Sequence, residues 1–147
     1  MHKLNSIKLS FIILSFFLSA TQLIAQGKEQ SMTIENYYKV KWGYAKEFID
    51  LWKSNHYPLL KIAQEKGDII SVIAEKPNMH SGEDVRWDFK VTIVFKNADA
   101  GLATDLTEPY KKQLYPNLEK LAKDEQHRFE LLLAHWDIII EKIDLSK

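Results

Sequence analysis

The chain has 147 residues, room for one domain, and is 46% apolar and 12% aromatic, enough for a hydrophobic core. Its formal charge is zero, which argues against a nucleic-acid surface and against an acidic solvating tail. It contains no cysteine, which excludes disulfides, thiolate metal sites and cysteine nucleophiles.

Residues 1–25 read as a secretory signal peptide. His2, Lys3 and Lys8 give a positive start, Leu9 to Leu18 is nearly all apolar, and Leu23-Ile24-Ala25 offers a cleavage site before Gln26. The apolar run is short of the roughly 20 residues that span a bilayer, so an anchor is the weaker reading. An exported chain, periplasmic or secreted and bacterial in style, is expected, with no membrane association after cleavage. Residues 26–31 form a polar, mobile lead into a single domain spanning 32–147.

The domain opens with a strand over Met32–Trp42, in which Ile34, Asn36, Tyr38, Val40 and Trp42 share the apolar face. Gly43 turns the chain into a helix over Tyr44–Lys66. Spacing of 3.6 residues places Ala45, Ile49, Trp52, His56, Leu59 and Ala63 on one stripe, with His56 in its middle. Pro58 has no N–H for the Ser54 carbonyl, so the helix should kink or restart there. Gly67 closes the helix before a β-branched strand, Ile69 to Glu75.

The stretch 77–84 is a polar hairpin loop. A strand over Val85–Lys96 follows, with Trp87, Phe89, Val91, Ile93 and Phe95 alternating against polar neighbours. After a small-residue linker comes a helix across Thr107–Ala134, capped by Thr107 and interrupted by Pro116, with Phe129 on its apolar stripe. The last strand runs from Trp136 to Asp144.

The order β-α-β-β-α-β predicts an α+β, ferredoxin-like fold: a four-stranded antiparallel sheet with two helices on one face. Right-handed crossovers put strands one and three at its centre. The helix-free face carries Tyr37, Val94 and one side of Ile138–Ile140, and so much apolar surface predicts a homodimer through the sheets.

With the strand-glycine-helix start Tyr37-Tyr38-Lys39-Val40-Lys41-Trp42-Gly43 and the run Trp87 to Phe95, the chain resembles the dimeric α/β-barrel superfamily. That group includes antibiotic-biosynthesis-type monooxygenases, stress-responsive barrel proteins and haem-degrading relatives. The resemblance covers about Met32 to Asp144. It implies a cleft between sheet and helices in which Asn, Trp, Tyr or His act. By residue type and face, Asn36, Tyr38, Trp52, His56 and Trp87 are the ligand-binding candidates. Haem-degrading relatives use an axial histidine on a helix; His127 lies on the later helix but its face turns to solvent, so haem is not implied.

His56 beside the kink could act as a base, bind a ligand or hold a metal; the plainer role is a buried imidazole bonded to a carbonyl freed by Pro58. Asn36 with the aromatic residues has the same two readings, ligand cleft or satisfied core. Glu125 falls on an apolar stripe and Arg128 stands three residues on, at pairing distance on a helix. His80 and His127 are expected to be exposed. No catalytic signature, metal-ligand spacing or cofactor loop occurs, so no metal and no cofactor are expected. Two functions follow: an exported small-molecule-binding or assembly protein, taking a small apolar or aromatic ligand if any; or a cofactor-independent monooxygenase-like enzyme working in the cleft.

Overall fold

The computed structural model describes residues 30–79 and 81–146. The stretch expected to be a signal peptide, most of the expected lead, and His80 lie outside the described residues. Within them, no helix is long and apolar enough to cross a membrane.

The sheet is built from β1 (Met32–Val40), β2 (Ile69–Glu75), β3 (Phe89–Phe95) and β4 (Leu132–Ile140). Its order is β2-β3-β1-β4 with every neighbour antiparallel, so the two strands expected at the centre are there. The fold is ferredoxin-like. Residues opposite each other across a ladder share a face. Tyr38 stands opposite Phe89 and His135, and Asn36 opposite Val91 and Asp137, all on the helix side. Tyr37 stands opposite Lys90 and Trp136 on the other side.

Each of the two expected helices is divided. The first becomes α1 (Ala45–Asn55) and α2 (Tyr57–Glu65), meeting at His56 with Pro58 in the first turn of α2, where a missing N–H costs no hydrogen bond. Phe48, Trp52, Leu59, Leu60 and Ala63 are buried against the sheet, close to the expected stripe. Gly43 and Gly67 bracket this unit at φ 85° and 84°, the left-handed region in which a Cβ is strained. After α3 (Ala98–Leu102), the second helix becomes α4 (Glu108–Leu114) and α5 (Leu118–Glu130). Pro116 separates them, and the Asn117 side chain, not Thr107, caps by accepting from the Lys120 N–H at 2.8 Å.

Four expectations need correction. The second helix ends at Glu130 and β4 begins at Leu132, four residues before Trp136. Leu132 and Ala134 pair with Val40 and Lys39, because the end of the central strand β1 must be hydrogen-bonded on both sides. Phe129 is 55% exposed and its neighbour Arg128 is buried instead, since Pro116 resets the helical phase. Trp42 lies beyond the end of β1 and is exposed, its ring 4.1 Å from the Arg86 guanidinium. Trp87 precedes β3 and does not continue its inward face; its ring meets Tyr37 edge-on at 5.9 Å on the helix-free side.

Candidate functional site

The helix layer does not cover the whole inner face of the sheet. Ile34 and Asn36 point toward the helices from the central strand β1, yet both stay partly exposed, and Ile139 opposite Ile34 is 61% exposed. Part of the inner face over β1 and β4 is therefore left uncovered, a candidate cleft, with Asn36 and Tyr38 on that sheet face and Trp52 and His56 on the helix unit packed over the sheet.

Asn36 is on its floor, with Nδ2 donating to the Val91 carbonyl at 3.0 Å. Tyr38, next along the same face, is buried; its ring stacks on His135 at 4.4 Å, and burial pushes its phenol up to about 12. Trp52 descends from α1 and packs edge-on against Phe89 at 5.2 Å. Its indole N–H is buried and reaches no acceptor at hydrogen-bond geometry. His56 sits at the α1/α2 break, 5.8 Å from the Trp52 ring. Burial, followed by the positive charges of Arg128 and Lys111, lowers its pKa to about 4, so it is neutral near pH 7. Trp87 belongs to the opposite face and takes no part in this cleft.

The carbonyls freed by the helix break are satisfied by a residue the sequence did not single out. The Tyr115 hydroxyl lies 2.9 Å from the Ser54 carbonyl and 3.0 Å from that of Asn55, sharing its proton between them. His56 is thereby released from the structural task expected of it. Tyr115 directly follows α4, beyond an irregular linker, and no local periodicity pointed to it.

Arg128 was expected to pair with Glu125. Glu125 instead lies 3.8 Å from Lys111, which also holds Glu108 at 2.8 Å. Arg128 turns into the interior, 5% exposed, with its guanidinium 5.1 Å from the Phe129 ring. Burial lowers its pKa, opposed by the charges of Tyr38 and Glu125. On the β4 side, His135 Nε2 is 3.1 Å from Asp137 Oδ1. His127 is exposed as expected and joins α5 to α1 through Glu47 at 2.7 Å. Among the described residues no group of three or more His, Asp or Glu side chains is arranged to hold a metal ion.

Trp52 also walls a second recess, a groove of about 420 Å³ between α1, α2 and the β2/β3 edge. Its lining is mostly apolar (Ile49, Tyr57, Val72, Ala74 and Phe89), with Lys53, Glu75 and Lys76 also contributing; His56 is not part of it.

No protein-family model matches the chain, and no curated protein matches it in sequence. Solved structures do. A dimeric ferredoxin-like protein from an uncultured marine organism superposes with a TM-score of 0.51 at 6% identity, over 81% of this chain and 96% of that one. The chain has the fold of the dimeric ferredoxin-like proteins. A dimeric protein of unknown function and ferredoxin-like fold from Bacteroides fragilis gives 0.45 at 15% identity, over 76% and 96%. SnoaB, a cofactor-independent oxygenase from Streptomyces nogalater, gives 0.44 at 10% identity, over 80% and 98%. At such identities the shared property is the ferredoxin-like fold, and a fold carries no activity with it.

Proposed function

We propose that this chain is an exported, homodimeric binding protein that takes a small, largely apolar or aromatic molecule into the cleft on the helix side of β1. The observation that carries the reading is the partly exposed Asn36 on a central strand, beside the rings of Tyr38, Trp52 and His135. Ring-lined recesses with a few polar groups are where small ligands bind. A fluorescence titration against a library of aromatic fragments tests it, with Trp52→Phe as the control that removes the reporting ring. Binding that quenches the unaltered protein and not the variant supports the cleft; no binding across the library sinks it.

The enzyme alternative is weaker on one point. A general base works best with a pKa near the working pH. His56, held at about 4, would not keep a proton taken from a substrate at neutral pH.

Export is supported by the charged-then-apolar pattern of residues 1–25, and an intact mass beginning near Gln26 would establish it. The dimer is supported by the helix-free face. There Trp136, Ile138 and Ile140 line β4 at 38%, 43% and 36% exposure, and Tyr37 stacks on Trp136 at 5.3 Å. A polar strip beside them, Lys90 to Glu75 at 2.7 Å and Tyr37 to Glu35 at 2.6 Å, would fix the register of two sheets. Light scattering should return twice the monomer mass, and Ile138→Glu should return a monomer.

A further inference from the structure

We propose that Arg128, with the buried donors of Trp52 and Asn55, receives the acidic oxygen of the bound molecule, which makes the ligand a small aromatic carboxylic acid. The proposal rests on the cleft reading above and names the class of molecule that fits it.

Arginine is always charged, and burying most of a guanidinium without an anion is costly. Arg128 is 5% exposed, its Nε has no acceptor, and among the described residues no carboxylate lies within ion-pair distance of it. Two further sealed donors lack acceptors: Trp52 Nε1 and Asn55 Nδ2, on residues 2% and 5% exposed. Trp52 and Asn55 are three residues apart on α1 and therefore share one helix face. His56, the next residue, is adjacent to the Trp52 ring and carries the electrostatic imprint of Arg128. Burial raises the pKa of Tyr38, and the Arg128 charge opposes that rise. The geometry is that α5 packs on α1, with Arg128 on the buried side of one helix and Trp52 and Asn55 on the buried side of the other, so that donors outnumber acceptors between them.

The acids nearby are engaged elsewhere. Glu125 is held by Lys111 and Asp137 by His135. Tyr38 and neutral His56 can each accept one hydrogen bond, but neither takes one from these donors at bonding geometry. What the neighbourhood lacks is a charged oxygen acceptor. A carboxylate supplies two oxygens suited to the guanidinium fork, and an attached ring has Tyr38, Trp52 and His135 to pack on.

Calorimetric titration with benzoate and benzamide, matched in shape and different in charge, tests the claim. The protein should bind benzoate roughly tenfold more tightly than benzamide, the margin of one charge-assisted contact. Arg128→Met should erase that margin, so that benzoate binds no more tightly than benzamide does to the same variant. Arg128→Lys, which keeps the charge, should retain part of it and so separates lost charge from lost folding. Equal affinity for the two probes overturns the acid and leaves a small-molecule cleft standing. A benzoate preference that survives Arg128→Met overturns the role of Arg128. If neither probe binds at millimolar concentration, the acid and the cleft both fall.

Discussion

Two arginines are buried on opposite terms. Arg86 is 4% exposed and paired with carboxylates: Nη1 lies 3.0 and 3.1 Å from the two Asp88 oxygens, and Nη2 donates to the Val40 carbonyl at 3.1 Å. Its Nε is 3.1 Å from Glu83, off the line a hydrogen bond needs, and its plane lies against Trp42. Asp88 also accepts from the Val40 N–H at 2.8 Å, so the two side chains clip the end of β1. Arg128, equally buried, has no such partner. A buried charge with carboxylate partners helps hold the structure together. One without partners weakens the fold, and a bound acid, as proposed, would supply the partner that is missing.

The largest test of this contrast is Arg86→Met. It strands the Asp88 carboxylate and opens the clip, and should cost about 3–5 kcal/mol in urea unfolding, the usual effect of breaking a buried pair from one side. A loss no larger than that of an average surface change would place Arg86 with Arg128 and dissolve the comparison.

The next test uses His56. Its folded pKa of about 4 lies below the ordinary 6.5, so between those values the unfolded chain binds a proton that the folded chain refuses. The stability so conferred is complete above pH 6.5, falls as the pH drops toward 4, and levels off below. Over that window it amounts to at most about 3 kcal/mol. Unfolding curves compared with His56→Gln isolate it from the carboxylates. In Arg128→Met the transition should move to higher pH, because one of the charges depressing His56 is gone; no movement would mean Arg128 is not charged beside it.

Tyr115→Phe removes the hydroxyl that closes the α1/α2 break and should cost about 1 kcal/mol. If His56 carried that task instead, the change would be silent. The smallest effect expected is that of Arg128→Met on stability without ligand. It removes a buried charge with no partner, and should fall within about 1 kcal/mol of zero, on the stabilising side. A loss comparable to that of Arg86→Met would show that Arg128 is structural and would remove the basis for an acid site.

Where the candidate residues stand in the fold was largely legible residue by residue. The alternation of β1 put Asn36 and Tyr38 on the helix side, and the stripe of α1 brought Trp52 and His56 toward them. Pro58 marked the break. Arg128 and Tyr115 were not legible, because both follow irregular segments. Helical phase read from the earlier residues did not survive Pro116, and a hydroxyl sixty residues from its acceptor leaves no periodic trace. Trp87 was misplaced for a related reason: alternation assigns a face only where a residue is paired, and β3 begins at Phe89.

By itself the sequence determined the element order, the sheet order and the breaks. These depend on side-chain periodicity, on the φ freedom of Gly43 and Gly67, and on the missing N–H of Pro58 and Pro116, all of them local properties of the chain. Only the tertiary structure decided where β4 begins, because the unpaired edge of β1 drew Leu132 to Ala134 out of a helical pattern. It alone decided which arginine would be clipped into place and which left without a partner, because burial and pairing depend on what the rest of the chain brings alongside.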